Sequence, residues 1–334
     1  MKGFLKLAIA VGISALCVWL SMKDVPLDQV IVSLRGANYA GFSLVMALTI
    51  VGFWLRAVRW RFFIASERRL PTDSLFSATM IGFMANNILP FRIGEFVRPW
   101  VLARREKLSK STLLATIVVE RAIDMLTLLT IFGVTQAVHP IASASDAGRL
   151  VQWGARVLVI ACVGLTVLFV TLERNQQLAL RLTNLLTSRL PVALRERASR
   201  MIRHFLDGLG LFRDVGRLAL VLALSFAMFL CFAVAISVSM ASLHLVVPWY
   251  AGLVMLVITA IGIMVPAAPG GVGTLNYACT VGLALFGVGK LQSAPFGWFW
   301  FFSQWLPITA VGLFYLNREG LSLKSLGQAQ KEVA

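Results

Sequence analysis

Long apolar runs dominate this chain, and each is long enough to cross a bilayer as a helix of about 20 residues. They lie near 4–21, 40–64, 113–138, 151–172, 218–243 and 296–316. Two further apolar regions, about 75–90 and about 250–289, are broken by proline and glycine. The first break runs from Asn86 and Asn87 through Pro90 and Arg92 to Gly94. The second contains Pro266, Pro269, Gly270, Gly271 and Gly273. Non-helical backbone at membrane depth survives only where protein buries it or a wet cavity solvates it. A matched pair of breaks, one in each half of the chain, is the sequence pointer to a transport site.

Charge orders these segments. Arg68 and Arg69 precede the 75–90 segment, and Arg92, Arg98, Arg104, Arg105, Lys107 and Lys110 follow it. If the segment crossed fully, one basic cluster would lie outside, against the bias of Lys and Arg toward the cytoplasm. The reading is therefore a hairpin that dips in from the cytoplasm and returns. The same counting places 139–150 outside and 173–217, with its arginines, inside. The 250–289 region then enters and leaves from the outer face. The expectation is an all-α polytopic membrane protein, residues 1–334 forming one membrane domain. It has six full spans and two re-entrant hairpins from opposite faces, with both termini cytoplasmic; eight or nine full spans is the alternative. Within 173–217, Leu178, Leu182, Leu185 and Leu186, then Ile202, Phe205, Leu206 and Leu209, recur at helical spacing among arginines. That pattern fits a basic amphipathic connector on the anionic leaflet or one packed on the protein. The N-terminus lacks a small-x-small cleavage site and reads as an uncleaved first span.

Composition agrees: 58% of 334 residues are hydrophobic, 14% are charged and the mean hydropathy is +0.82. The formal charge of +16 fits basic loops against lipid headgroups, with no nucleic acid as partner. Cys17, Cys162, Cys231 and Cys279 lack ligand-like spacing, so neither a disulfide framework nor a metal site is expected. His139, His204 and His244 are isolated, and no nucleophile, zinc or nucleotide motif occurs. No catalytic residue and no cofactor are expected.

Chemistry concentrates in 86–124. Asn86 and Asn87 bring amides to the first break, and Arg92, Glu95 and Arg98 follow at helical spacing, so that Glu95 can sit between two guanidiniums. The cluster reads as a phosphate-binding group or as a snorkelling interfacial belt. Glu120, Arg121 and Asp124 lie inside an apolar span, where each charge costs roughly 2.5–3.5 kcal/mol. They read as a headgroup lining or as an ion-pair clamp. Arg56, Arg59 and Arg61, interleaved with Trp54 and Trp60, read mainly as an interfacial anchor, with phosphate capture as the second reading. In the second break the glycines allow close backbone approach, and Asn276 is the first uncharged polar side chain after it.

Several of these residues form one composite pattern. Asn87-x-x-Pro90-x-Arg92-x-Gly94-Glu95-x-x-Arg98 is followed by Ser111, Ala115, Val119-Glu120-Arg121 and Asp124. Pro269-Gly270-Gly271-x-Gly273 and Ala284-Leu285-Phe286-Gly287-Val288 come later. Together with Arg56-Ala57-x-Arg59-Trp60, the pattern closely resembles the lysylphosphatidylglycerol synthase transmembrane (flippase-like) family over nearly the whole chain. In larger relatives the domain is fused to a soluble aminoacyltransferase, which this sequence lacks, and is held to move an aminoacylated lipid across the bilayer. Many relatives carry Glu shortly after the Gly-rich turn, where this chain has Asn276. The resemblance implies a flippase-like transporter of a phospholipid or polyprenyl-phosphate-linked headgroup in a bacterial inner membrane. Its partners would be anionic lipids, with a homo-oligomer or an envelope-biosynthesis protein as further partners. The alternative is an accessory or catalytic subunit of glycoconjugate assembly.

Overall fold

A computed structural model describes residues 2–64, 70–140, 160, 164, 171, 214–265 and 268–327. Pro266, the expected span at 151–172 apart from three isolated residues, and all but the end of the 173–217 connector lie outside the described residues. Those described are helical, with no strand among them. In chain order the helices are α1 (Lys2–Met22), α2 (Leu27–Arg35), α3 (Tyr39–Trp60), α4 (Thr72–Ile88), α5 (Gly94–Glu106) and α6 (Lys110–Val138). Then come α7 (Val215–Ser242), α8 (Ala251–Met264), α9 (Thr274–Ala284) and α10 (Lys290–Arg318).

Three helices, α3 with its following turn, α7 and α10, are long and apolar enough to cross a membrane. The α1–α2 pair, bent by 80°, makes a fourth if taken as one span. The α6 helix is as long as α10 at 29 residues but carries Glu120, Arg121 and Asp124. The bend after α1 has a local cause, since Asp24 is held at φ +67° and Pro26 starts the next helix.

Both breaks end their helices by one mechanism. A residue before proline is pushed out of the helical region by the ring's Cδ. Leu89, before Pro90, is extended at φ −100°, ψ 146°. Val265, before Pro266, is extended at φ −63°, ψ 128°. The chain then turns and packs back, α5 on α4 and α9 on α8. The α4–α5 contact depends on two glycines, because a Cβ on Gly94 would stand 1.9 Å from the Gly82 carbonyl oxygen. Asn86 Oδ1 accepts from the Gly94 N–H at 2.8 Å and caps the start of α5 across the turn. In the second break Gly270, Gly271 and Gly273 adopt positive φ, and a Cβ on Gly273 would meet the Ser14 carbonyl of α1 at 2.3 Å.

The helix pairs α4–α5 and α8–α9 start near opposite ends of the long helices α3, α7 and α10. The base of α4 joins the end of α10, where Arg318 Nη1 donates to Asp73 Oδ1 at 3.0 Å and Ser77 Oγ donates to Glu319 Oε1 at 2.8 Å. The α8 helix begins just after the far end of α7, where the Asn38 N–H donates to the Ser242 carbonyl at 2.9 Å. The tips meet midway, where Arg92 Nη1 donates to the Ile263 carbonyl at 3.0 Å and Trp305 Nε1 donates to the Asn87 carbonyl at 3.5 Å.

Candidate functional site

Beside the first hairpin lies a buried ionic cluster built from three helices. From α6, Glu120 is fully buried and Asp124, one turn on, is 5% exposed. Opposite them on α3, Arg56 Nη1 reaches Glu120 Oε1 and Asp124 Oδ2, both at 2.9 Å, and Arg59 Nη2 reaches Asp124 Oδ1 at 2.7 Å. From α5, Arg98 Nη1 stands 2.9 Å from Glu120. Arg121 Nη2 lies 2.9 Å from Glu120 Oε1 and 3.4 Å from Asp124 Oδ2. The spacing explains the convergence: residues three and four apart share a helix face, which puts Arg56 with Arg59 and Glu120 with Asp124.

Aromatic and hydroxyl groups hold the guanidiniums in place. Arg98 stacks 3.9 Å from the Trp60 ring centroid, and Arg56 lies 5.4 Å from that of Phe83. Trp60 Nε1 donates to Thr116 Oγ1 at 2.9 Å, and Arg59 Nη1 donates to Ser225 Oγ at 2.7 Å. Even so, Nε of Arg56, Arg59, Arg98 and Arg121 is buried without a hydrogen-bond partner. Buried polar groups are normally paired, so guanidinium nitrogens left without hydrogen-bond partners in one cluster are unusual.

A cavity of about 240 Å³ adjoins this cluster, between the hairpin tips and α3, α7 and α10. Its polar lining comes from Arg56, Asn86, Asn87, Arg92, Thr259 and Gln304, and its aromatic wall includes Phe53, Phe83, Phe232, Trp300 and Trp305. Gly270 and Gly271 expose backbone to it, and no carboxylate lies among its described lining residues. Arg92, Ile263 and Val265 are exposed as well as lining, so the cavity opens where the tips meet.

The structure gathers Asn86, Asn87 and Arg92 at the cavity and places Arg98, Glu120, Arg121 and Asp124 in the ionic cluster behind it. Several expectations are corrected. Arg92 belongs to the turn Pro90–Arg92 at φ +51°, ahead of α5, so it does not share a helix with Glu95 and Arg98. Arg98 pairs with Glu120 instead of Glu95, which stays within electrostatic reach of Arg92 and Arg121. Arg56 and Arg59 are 6% and 0% exposed, which overturns their reading as an interfacial anchor. The signal that could have found them was the helical spacing of two arginines that supply the positive charge Arg121 alone cannot give to both Glu120 and Asp124. Asn276 is buried, with both amide atoms unpartnered, against Gly297 of α10 and outside the cavity lining. Gly94 and Pro90 shape the first turn, and Pro269, Gly270, Gly271 and Gly273 the second.

Among the described residues no cluster of three His, Cys, Asp or Glu side chains with metal-site geometry occurs. A comparison with curated proteins finds no match. The family model of the lysylphosphatidylglycerol synthase TM region matches residues 5–312. With helices of spanning length and composition, the chain is a multi-pass membrane protein and belongs to the lysylphosphatidylglycerol synthase TM region family.

Proposed function

We propose that the protein is a flippase-like transporter that carries a lipid with an anionic headgroup between the leaflets of a bacterial inner membrane. The observation that carries this reading is the cavity between the hairpin tips, which presents Arg56 and Arg92 and no described carboxylate. In lipid surroundings such a lining is costly unless a counter-charge visits it. Its aromatic wall suits the hydrocarbon next to a headgroup, and its mouth between Arg92 and Ile263 lets the tails stay in lipid while the headgroup moves inside.

The transport reading uses the full expected topology, six spans with hairpin α4–α5 entering from the cytoplasm and hairpin α8–α9 from outside. Basic residues support that orientation. Arg61, Arg104, Arg105, Lys107, Lys110 and Arg318 gather at the end where α3, α5 and α10 finish and α6 starts, and cytoplasmic ends favour Lys and Arg.

The test uses the purified full chain in sealed vesicles with a radiolabelled anionic phospholipid in one leaflet. Label crosses to the other leaflet with its mass unchanged, and Arg92→Ala, at an exposed tip position, slows the crossing about tenfold, the equivalent of about 1.4 kcal/mol. A covalently altered lipid, formed by the wild type and lost in the variant, would reject transport in favour of a catalytic role in glycoconjugate assembly.

A further inference from the structure

Charge balance behind the cavity bears on which anionic headgroup fits. Among the described residues, Arg56, Arg59, Arg98 and Arg121 share the two carboxylates of Glu120 and Asp124, which leaves two positive charges in excess within the cluster. Arg92 and Glu95 add one charge of each sign and leave the excess as it is. A purely structural clamp could match its guanidiniums one for one, since an unpaired buried charge is the costly case. Away from bulk water an uncompensated charge is screened weakly, so the excess is felt in the neighbouring cavity.

Arg56 couples the two regions. Its Nη1 is shared by Glu120 and Asp124, its Nε has no partner, and its side chain lines the cavity. Arg92 brings a second guanidinium to the same space, and Asn86 and Asn87 bring amides. A zwitterionic headgroup supplies no net charge and a phosphodiester supplies one negative charge. A terminal phosphate supplies about two, because its second pKa is near 6, and it offers the oxygens that an arginine fork binds in pairs.

Resting on the transport reading above, we propose that the cavity selects a lipid ending in a phosphomonoester or diphosphate. The phosphoryl oxygens sit against Arg56 and Arg92 and neutralise the buried excess, while Phe53, Phe232, Trp300 and Trp305 take the adjoining hydrocarbon. A free phosphate ion would share the charge but leave that aromatic wall without use.

The test is competition on the purified full chain in mild detergent, with radiolabelled phosphatidic acid as the bound probe. Unlabelled phosphatidic acid and a prenyl monophosphate displace it equally, whereas phosphatidylglycerol, a phosphodiester, is about tenfold weaker or worse, the equivalent of about 1.4 kcal/mol. Arg92→Gln, at an exposed position that tolerates the change, narrows that gap to about twofold or less. Equal competition by phosphatidylglycerol in the wild type would overturn the doubly charged headgroup and leave lipid transport standing. Inorganic phosphate displacing the probe as well as the lipids do would overturn the lipid source. Failure to retain any anionic lipid would count against the transport reading itself. An unchanged gap in Arg92→Gln would overturn the assignment of the phosphate to Arg92.

Discussion

Arg92 donates through Nη1 to the backbone carbonyl of Ile263 at 3.0 Å, a bond that ties the tip of one hairpin to the tip of the other across 171 positions of sequence. The acceptor is available because α8 stops at Met264, which leaves its last carbonyls without helical partners. The donor comes from a non-glycine residue at φ +51°, a conformation that costs on the order of 1–2 kcal/mol and persists only where its surroundings hold it. An anion in the cavity would compete with the carbonyl for this guanidinium, so the bond is placed to close the mouth.

If the tips must part for a headgroup to pass, fixing them together stops transport. In a background without the native cysteines, Arg92→Cys and Ile263→Cys joined by a cleavable thiol cross-linker should halt lipid movement in vesicles, and cleavage should restore it. Removal of the arginine lowers the rate by itself, so restoration is measured against the uncross-linked double variant. Undiminished movement in a fully cross-linked sample would show that the mouth stays shut during transport.

Glu120 is the centre of the ionic cluster, in contact with Arg56, Arg59, Arg98 and Arg121. Neutralising one partner of a buried ion network typically costs about 3–5 kcal/mol. Glu120→Gln is therefore expected to melt far below the wild type in the same detergent. Glu95→Gln, at a half-buried position outside the central pairs, should melt close to it. A wild-type melting temperature for Glu120→Gln would mean that the cluster does not clamp α3, α5 and α6.

At the base of the first hairpin, Asp73 accepts from Arg105 Nη2 at 2.8 Å, Arg318 Nη1 at 3.0 Å and the Tyr315 hydroxyl at 3.2 Å. Partial burial pushes its carboxyl up, but the Arg105 and Arg318 guanidiniums outweigh burial and hold it below the usual carboxylate range. A carboxyl lowered on folding stabilises fully above its unfolded pKa, about 3.9, and loses that contribution as pH falls through its folded value. The wild-type melting temperature should thus drop more steeply than that of Asp73→Asn as pH falls below about 4. Parallel curves would remove Asp73 from the latch between α4 and α10.

Helix content, the two breaks and their cause were legible in the sequence because hydropathy and pre-proline geometry are local properties. The runs at 4–21, 40–64, 113–138, 218–243 and 296–316 correspond to α1, α3, α6, α7 and α10. The short α2 was not anticipated; it begins after Pro26 and bends away from α1 by 80°. Glu120, Arg121 and Asp124 were conspicuous because charge inside an apolar span is expensive, and the composite motif pointed to the family that the match over 5–312 shows.

Which groups those charges meet was decided by tertiary structure alone. Arg56 is 64 residues from Glu120 and 68 from Asp124, and their pairing depends on how α3 and α6 pack, which no local pattern encodes. The same holds for Arg98, which meets Glu120 instead of its own helix neighbour Glu95 because α5 packs against α6. By itself the sequence determined that two polar breaks and a few buried charges exist, since helix termination and desolvation act residue by residue. Tertiary structure alone brought the breaks tip to tip around one cavity and left its guanidiniums in excess, because charge balance is a property of the residues that packing assembles, not of their order along the chain.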